Sequence, residues 1–150
     1  MPKLQLRVLT SDGVKFDKSV DMVIMRCISE DMGKRSAVGD LGVLPGHMPL
    51  SAVLGISPLR ILDESFEGGQ NIMAVYGGVV TVKDDDVTIM TEMALWPDEI
   101  DKVMAEKSRE EAERRFEVLQ EDSELRNTQI SLRRALVQIE VSAYPLVGRK

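Results

Sequence analysis

The chain changes its hydrophobic period once. From Leu4 to about Trp96 apolar residues alternate with polar ones, the period of strands that keep one face on a core. Leu4, Leu6 and Val8 set the pattern; Val20, Met22 and Ile24 repeat it, as do Ile72, Ala74 and Tyr76 and, past Gly77-Gly78, Val80 and Val82. Asp12-Gly13, Gly68-Gly69 and Asp84-Asp85-Asp86 supply turns, the last joining Val80-Thr81-Val82 to Val87-Thr88-Ile89 as a hairpin. Several short strands separated by turns predict an antiparallel sandwich or barrel over residues 1–96.

From Pro97 the spacing is helical. Proline suits a first helical position, and Asp98, Glu99 and Asp101 place negative charge where the helix dipole favours it. Ile100, Met104, Ala112, Phe116 and Leu119 predict a helix running through Gln120, followed by a polar break at Glu121-Asp122-Ser123 in which Asp122 or Ser123 caps a second helix. Leu125, Thr128, Leu132, Leu136, Ile139 and Ala143 form the apolar stripe of that helix, and Pro145 stops it. Residues 97–150 therefore predict an antiparallel helical hairpin. So small a unit buries little surface alone and depends on docking elsewhere. Periodicity leaves open whether it is packed permanently or moves between two partners.

Composition narrows the function classes. A formal charge of −6 argues against nucleic acid and anionic membrane surfaces as partners. The single cysteine, Cys27, forbids an intrachain disulfide and fits a reducing compartment. The segment Met1 to Arg7 lacks the apolar stretch of a signal peptide, and no run approaches the roughly 20 apolar residues that span a bilayer. Membrane association would pass through a partner.

Candidate chemistry is sparse. His47 is the only histidine, which excludes a histidine metal cluster and leaves a loop or interface imidazole as the plain alternative to a catalytic one. Asp84, Asp85 and Asp86 are consecutive and point apart, which suits a solvated turn better than a magnesium site. Gly39-Asp40-Leu41-Gly42 and Gly77-Gly78 lack the spacing of either phosphate-binding fingerprint. Arg109, Arg114, Arg115, Arg126, Arg133 and Arg134 stand among acidic residues and suit either a solvated face with i, i+4 pairs or contacts to an acidic partner. No residue set suited to catalysis emerges, and no enzyme activity is expected.

Three blocks carry a resemblance. Leu41 to Leu50, with Leu44-Pro45-Gly46-His47-Met48-Pro49 at its centre, resembles the signature loop of epsilon subunits of bacterial F-type ATP synthases. Ala74 to Val82 with Val87 to Ala94 resembles that family's paired-glycine strand and following hairpin; Glu111 to Arg115 and Leu132 to Leu136 resemble its two C-terminal helices. The resemblance implies a ten-stranded antiparallel β-sandwich (1–96) and a two-helix hairpin (97–150). It implies a non-catalytic rotor subunit on the cytoplasmic side of the bacterial cell membrane, active in ion-driven ATP synthesis. Asp40, Leu44, Pro45, Gly46, His47, Met48 and Pro49 would contact the gamma subunit and the c-ring. The six arginines would contact the catalytic alpha/beta hexamer and restrain ATP hydrolysis. The class-level alternative is a stand-alone sandwich enzyme or ligand-binding protein with a helical tail.

Two departures from the family pattern stand out. Ser29 to Val38 adds roughly eight residues before Asp40-Leu41-Gly42, which match the family's acidic-x-Gly turn; the excess is expected to be a mobile loop at the c-ring end. Some members bind ATP through an Ile/Leu-Asp-x-x-Arg-Ala motif and arginines of the second helix. Here Ile100-Asp101-Lys102-Val103-Met104-Ala105 has Met104 at the arginine position, and Gln138 replaces an arginine, leaving Asp101 and Arg134 as the ATP ligands. No cofactor is expected, and ATP is expected to bind weakly if at all.

Overall fold

The computed structural model describes residues 2–31, 34–118 and 122–144. Eight strands, β1 (Leu4–Thr10), β2 (Gly13–Val20), β3 (Met22–Asp31), β4 (Lys34–Val43), β5 (Leu50–Leu62), β6 (Gln70–Lys83), β7 (Asp86–Met90) and β8 (Ala94–Leu95), precede two helices, α1 (Lys102–Val118) and α2 (Asp122–Ser142). The strands form one sheet in the order β2-β1-β7-β6-β5-β3-β4, with β8 also on β6. The sheet folds over a core to which Leu4, Leu6, Val8, Val20, Val23, Met25, Leu59, Ile61, Met73, Val82 and Ile89 contribute fully buried side chains. Alternation thus marks the core face, as expected of a half-buried strand.

Among the described residues eight strands are present where ten were expected, and β5 and β6 are single long strands paired from Leu50↔Val82 to Leu62↔Gln70. β5 accompanies β6 along its length, whereas β8 pairs with Ala74–Val75 of β6 and β7 pairs with Val79–Lys83. Between these stretches lie Gly77 and Gly78, with φ of 77° and 127°. A Cβ on Gly78 would stand 2.0 Å from the Met90 carbonyl oxygen, so only glycine lets the strand turn this corner. The purely antiparallel expectation is corrected too: β1 and β7 pair in parallel, from Gln5 opposite Asp86 to Leu9 opposite Met90. Alternation fixes faces, and it is silent about neighbours.

The inserted segment is a strand pair where a loop was expected. Past a bulge after Cys27, the β3–β4 register continues through Ile28↔Ala37, Ser29↔Ser36, Glu30↔Arg35 and Asp31↔Lys34. Pairing of β3 with β5 ends at Ile28↔Val53, so the outer part is a two-stranded arm. The polar composition of this segment suggested a loop because a two-stranded pair can form without apolar alternation. Asp40, Leu41 and Gly42, expected in a turn, lie within β4 opposite Arg26, Met25 and Ile24.

The helices also differ from expectation at their start. Pro97–Glu99 form a 3₁₀ turn, Ile100 is extended, and the α-helix begins at Lys102. This turn belongs physically to the sandwich. The Trp96 amide donates to the Glu99 carboxylate at 3.0 Å, Lys15 donates to the same carboxylate at 2.7 Å, and the buried Trp96 ring tilts against Phe16 with centroids 6.0 Å apart. Starting α1 at Lys102 rotates Met104 outward to 57% exposure and buries Ala105 with Ala112. In α2 the single stripe resolves into two faces: Val137 and Val141 pack on Ile72, Ala74 and Tyr76 of β6, while Thr128 lines the seam with α1, across from Ala112 of that helix. Leu136, expected inside, is 44% exposed, and Ala143 is exposed. Capping by Asp122 or Ser123 and the stop at Pro145 lie outside the described side chains.

Candidate functional site

The signature loop is a rigid turn. The His47 amide donates to the Leu44 carbonyl at 3.1 Å, and Pro45 and Gly46 take the two central positions, with Gly46 at φ 87°. That is a type II turn, in which proline presets the first central residue and glycine supplies the positive φ of the second. The His47 Nδ1 lies 2.7 Å from the Met48 carbonyl oxygen, so its proton is held within the loop. A longer-range tie fixes the turn to the sandwich: the Gly46 amide donates to Asp85 Oδ1 at 2.6 Å. Asp85 and Asp84 sit at φ 63° and 52° in the β6–β7 turn, and the Asp85 carbonyl accepts the Gln5 amide at 2.8 Å. The acidic run is a hairpin turn that also anchors the neighbouring loop.

What this turn presents is apolar. Leu44 is 54% and Met48 72% exposed, and Pro49 is exposed beside them. Asp40 is separate from the turn, paired with Arg26 at 3.3 Å on the sheet. A second apolar surface is built by register. Val53 of β5 lies opposite Val79 of β6, and Val79 opposite Met90 of β7, three exposed residues in one row across three strands. Contiguous exposed apolar residues of this kind mark candidate surfaces for contact with other proteins.

The helical arginines divide into those with ion pairs among the described residues and those that are simply exposed. Arg109 and Arg114 make i, i+4 pairs with Glu113 and Glu110 at 4.0 and 3.8 Å, geometry of little energetic weight. Arg115, Arg126 and Arg133 are exposed. Arg134 differs: its Nη2 donates to Glu92 at 3.0 Å and its guanidinium carbon lies 5.4 Å from the centroid of the Tyr76 ring. Asp101 is the N-cap of α1, accepting the Met104 amide at 3.2 Å on its side chain and the Ala105 amide at 3.0 Å on its carbonyl. Gln138 donates to the Tyr76 phenol oxygen. Asp101, Arg134 and Gln138 thus have partners within the chain, while a cleft of about 130 Å³ between α1 and α2 is lined by other residues, among them Ser108, Arg115 and Ser131. Sequence reasoning missed Glu92, Tyr76 and Asp85 as partners of these residues, because each contacts a residue 39 to 62 positions away.

Comparison with known proteins settles the family. The model of the ATP synthase delta/epsilon chain β-sandwich domain matches residues 3–97, and that of the delta/epsilon chain long α-helix domain matches residues 98–143. The chain belongs to the ATP synthase delta/epsilon chain family. A relative named ATP synthase epsilon chain in Halalkalibacterium halodurans is 36% identical over 95% of this chain and 98% of its own length. One of the same name in Bacillus subtilis is 35% identical over 84% and 86%. Among solved structures, a chain of the Euglena gracilis mitochondrial ATP synthase OSCP/F1/c-ring assembly matches with TM-score 0.74 at 24% identity, covering 96% of this chain and 84% of that one. A chain of the Tetrahymena thermophila ATP synthase central stalk/c-ring matches with TM-score 0.62 at 14% identity over 95% and 98%. At these identities the structural likeness shows the fold alone. Among the described residues, no helix is long and apolar enough to cross a membrane, and no cluster of ligating side chains is placed to hold a metal.

Proposed function

We propose that this epsilon-family chain is a non-catalytic central-stalk subunit of a bacterial F-type ATP synthase, peripheral on the cytoplasmic side of the cell membrane, whose sandwich joins the gamma subunit to the c-ring. The observation that carries this reading is the presence of two separate exposed apolar surfaces on one rigid sandwich: the Leu44–Met48 turn and the Val53–Val79–Met90 row. A body that passes torque between two partners requires two such surfaces and a stiff connection, which the Gly46–Asp85 bond supports. The order of the matched domains and the relatives' shared name agree with it.

The helical hairpin is the regulatory part of this proposal. Released from β6, it would carry Arg109, Arg114, Arg115, Arg126, Arg133 and Arg134 into contact with acidic segments of the alpha/beta hexamer and restrain ATP hydrolysis. Arg115, Arg126 and Arg133 are already exposed, and Arg134 becomes available when its Glu92 pairing is given up. Deleting residues from Ile100 onward tests this in the assembled enzyme. Hydrolysis should rise while synthesis persists; equal hydrolysis with and without the helices rejects the inhibitory role.

A further inference from the structure

Tyr76 stands on β6 beneath two residues of α2 one turn apart. Arg134 lies over its ring at 5.4 Å, and Gln138 donates to its phenol oxygen. Four residues make one helical turn, so both side chains leave the same face of α2. The same guanidinium reaches past the ring to Glu92 at 3.0 Å, in the segment between β7 and β8. We propose that Tyr76 and Glu92 form a clasp that holds α2 on the sandwich through Arg134 and Gln138, so that the chain itself, without a bound nucleotide, keeps the hairpin docked.

The apolar part of the interface is modest. Its buried members are Ile72, Ala74 and Tyr76 against Val137 and Val141, with Ile56, Leu95, Ile100 and Tyr144 only partly buried around them, and apolar packing of this kind is non-directional. Directional contacts must therefore help to set the register of the helix on the sheet, and the clasp supplies them at one end while Arg60 donates to the Tyr144 hydroxyl at 3.0 Å at the other. Burial pushes the Tyr76 phenol up, only partly opposed by Arg134, so its oxygen stays a neutral acceptor across the physiological range. The Arg134 Nε is buried with no hydrogen-bond partner among the described residues, and the negative face of the ring compensates it. Gln138 suits this arrangement where an arginine would not: a second cation one turn from Arg134 would repel the first. An anion seeking Arg134 must displace Glu92. The clasp bears on regulation only if the hairpin is the movable restraint proposed above, but its existence is tested on the isolated chain.

Hydrogen exchange of the full-length protein in nucleotide-free buffer is the experiment, comparing α2 amides from Thr128 to Val141 with core amides of β3. Wild-type α2 should be protected. Glu92→Gln and Tyr76→Phe should each speed α2 exchange roughly two- to tenfold, as expected for single polar contacts that gate a local opening, while β3 is unchanged. Tyr76→Phe keeps the ring and removes only the oxygen, so combining it with Gln138→Leu should add little to either single change. Unprotected wild-type α2, unchanged exchange in both variants, or an equal rise in β3 would overturn the clasp. If α2 loosens in the variants and hydrolysis by the assembled enzyme does not change, the clasp stands and the inhibitory role falls.

Discussion

The backbone amide of Gly46 donates to the side chain of Asp85 at 2.6 Å, joining the Leu-Pro-Gly-His turn to the β6–β7 hairpin across 39 positions of sequence. Asp85 also sits at φ 63°, where glycine is at ease. Asp85→Gly should relax the hairpin turn while freeing the loop. We expect the melting temperature to stay within about 3 °C of wild type and Gly46 amide exchange to rise roughly fivefold, the weight of one partly exposed hydrogen bond to a carboxylate. Affinity for gamma or the c-ring should fall. An unchanged Gly46 exchange rate would show that the turn holds itself.

The two-stranded arm should be separable from the sandwich. Beyond Ile28↔Val53, β3 has no partner but β4, so excising residues 30–35 removes pairing internal to the arm alone. Thermal unfolding of the shortened protein should shift by less than about 3 °C, because strand pairing confined to one end of a sheet contributes little to global stability. A larger drop would mean that the arm supports the sandwich. The sequence carried one overlooked sign of this arm: acids at 30 and 31 face bases at 35 and 34 in register, a favourable cross-strand pattern.

Near the N-terminus, Lys3 and Asp63 couple stability to pH. Burial alone would raise the carboxyl of Asp63, which is 3% exposed; the Lys3 ammonium at 2.6 Å and the hydroxyl and amide of Ser65 outweigh it and hold it below the ordinary range. The bond to Asp63 likewise holds Lys3 above its ordinary value, against some desolvation. The Asp63 contribution is full above the usual carboxyl value of 3.8 and is lost as pH falls through the depressed native one. That of Lys3 is full below 10.5 and lost as pH rises through the raised native value. Asp63→Asn should lower the melting temperature at pH 7 by roughly 3–5 °C, with the difference from wild type shrinking as pH falls from 3.8 through the depressed native value. A difference that does not begin to shrink as pH falls below 3.8 would exclude the pairing as its cause.

Nucleotide should bind poorly. Asp101 is spent on capping α1, Arg134 on Glu92, and Gln138 on Tyr76, while Met104 offers no donor. Calorimetry with ATP should return a Kd of about 1 mM or weaker, and Met104→Arg with Gln138→Arg should tighten it by at least about tenfold, since each arginine contact to phosphate contributes roughly 1.5–3 kcal/mol. Micromolar binding by the wild type would contradict this.

Local chemistry was legible where one segment determined the outcome. Alternation located Leu4, Leu6 and Val8, and the aspartate run located the β6–β7 turn. Tertiary partners were not legible. Ile72, Ala74 and Tyr76 alternate as a strand should, yet they face α2, because β6 is covered on both sides. Leu136 reads as interior on a helical wheel and lies outside, because α2 divides its apolar residues between α1 and the sheet. The Leu-Pro-Gly-His turn was visible as a motif, but Asp85 as its anchor was not, since nothing local relates 46 to 85.

The anchoring of Glu99 leaves only Ile100 and Asp101 between the sandwich and the first residue of α1. A tether that short confines a detached hairpin to a small volume around its dock, at an effective concentration of the order of millimolar. A free partner in solution at micromolar levels would be outcompeted by the dock about a thousandfold at equal intrinsic affinity. Only surfaces fixed within reach of residue 101 inside the same assembly contend on equal terms, which makes the hairpin a sensor of its immediate neighbours and deaf to the bulk.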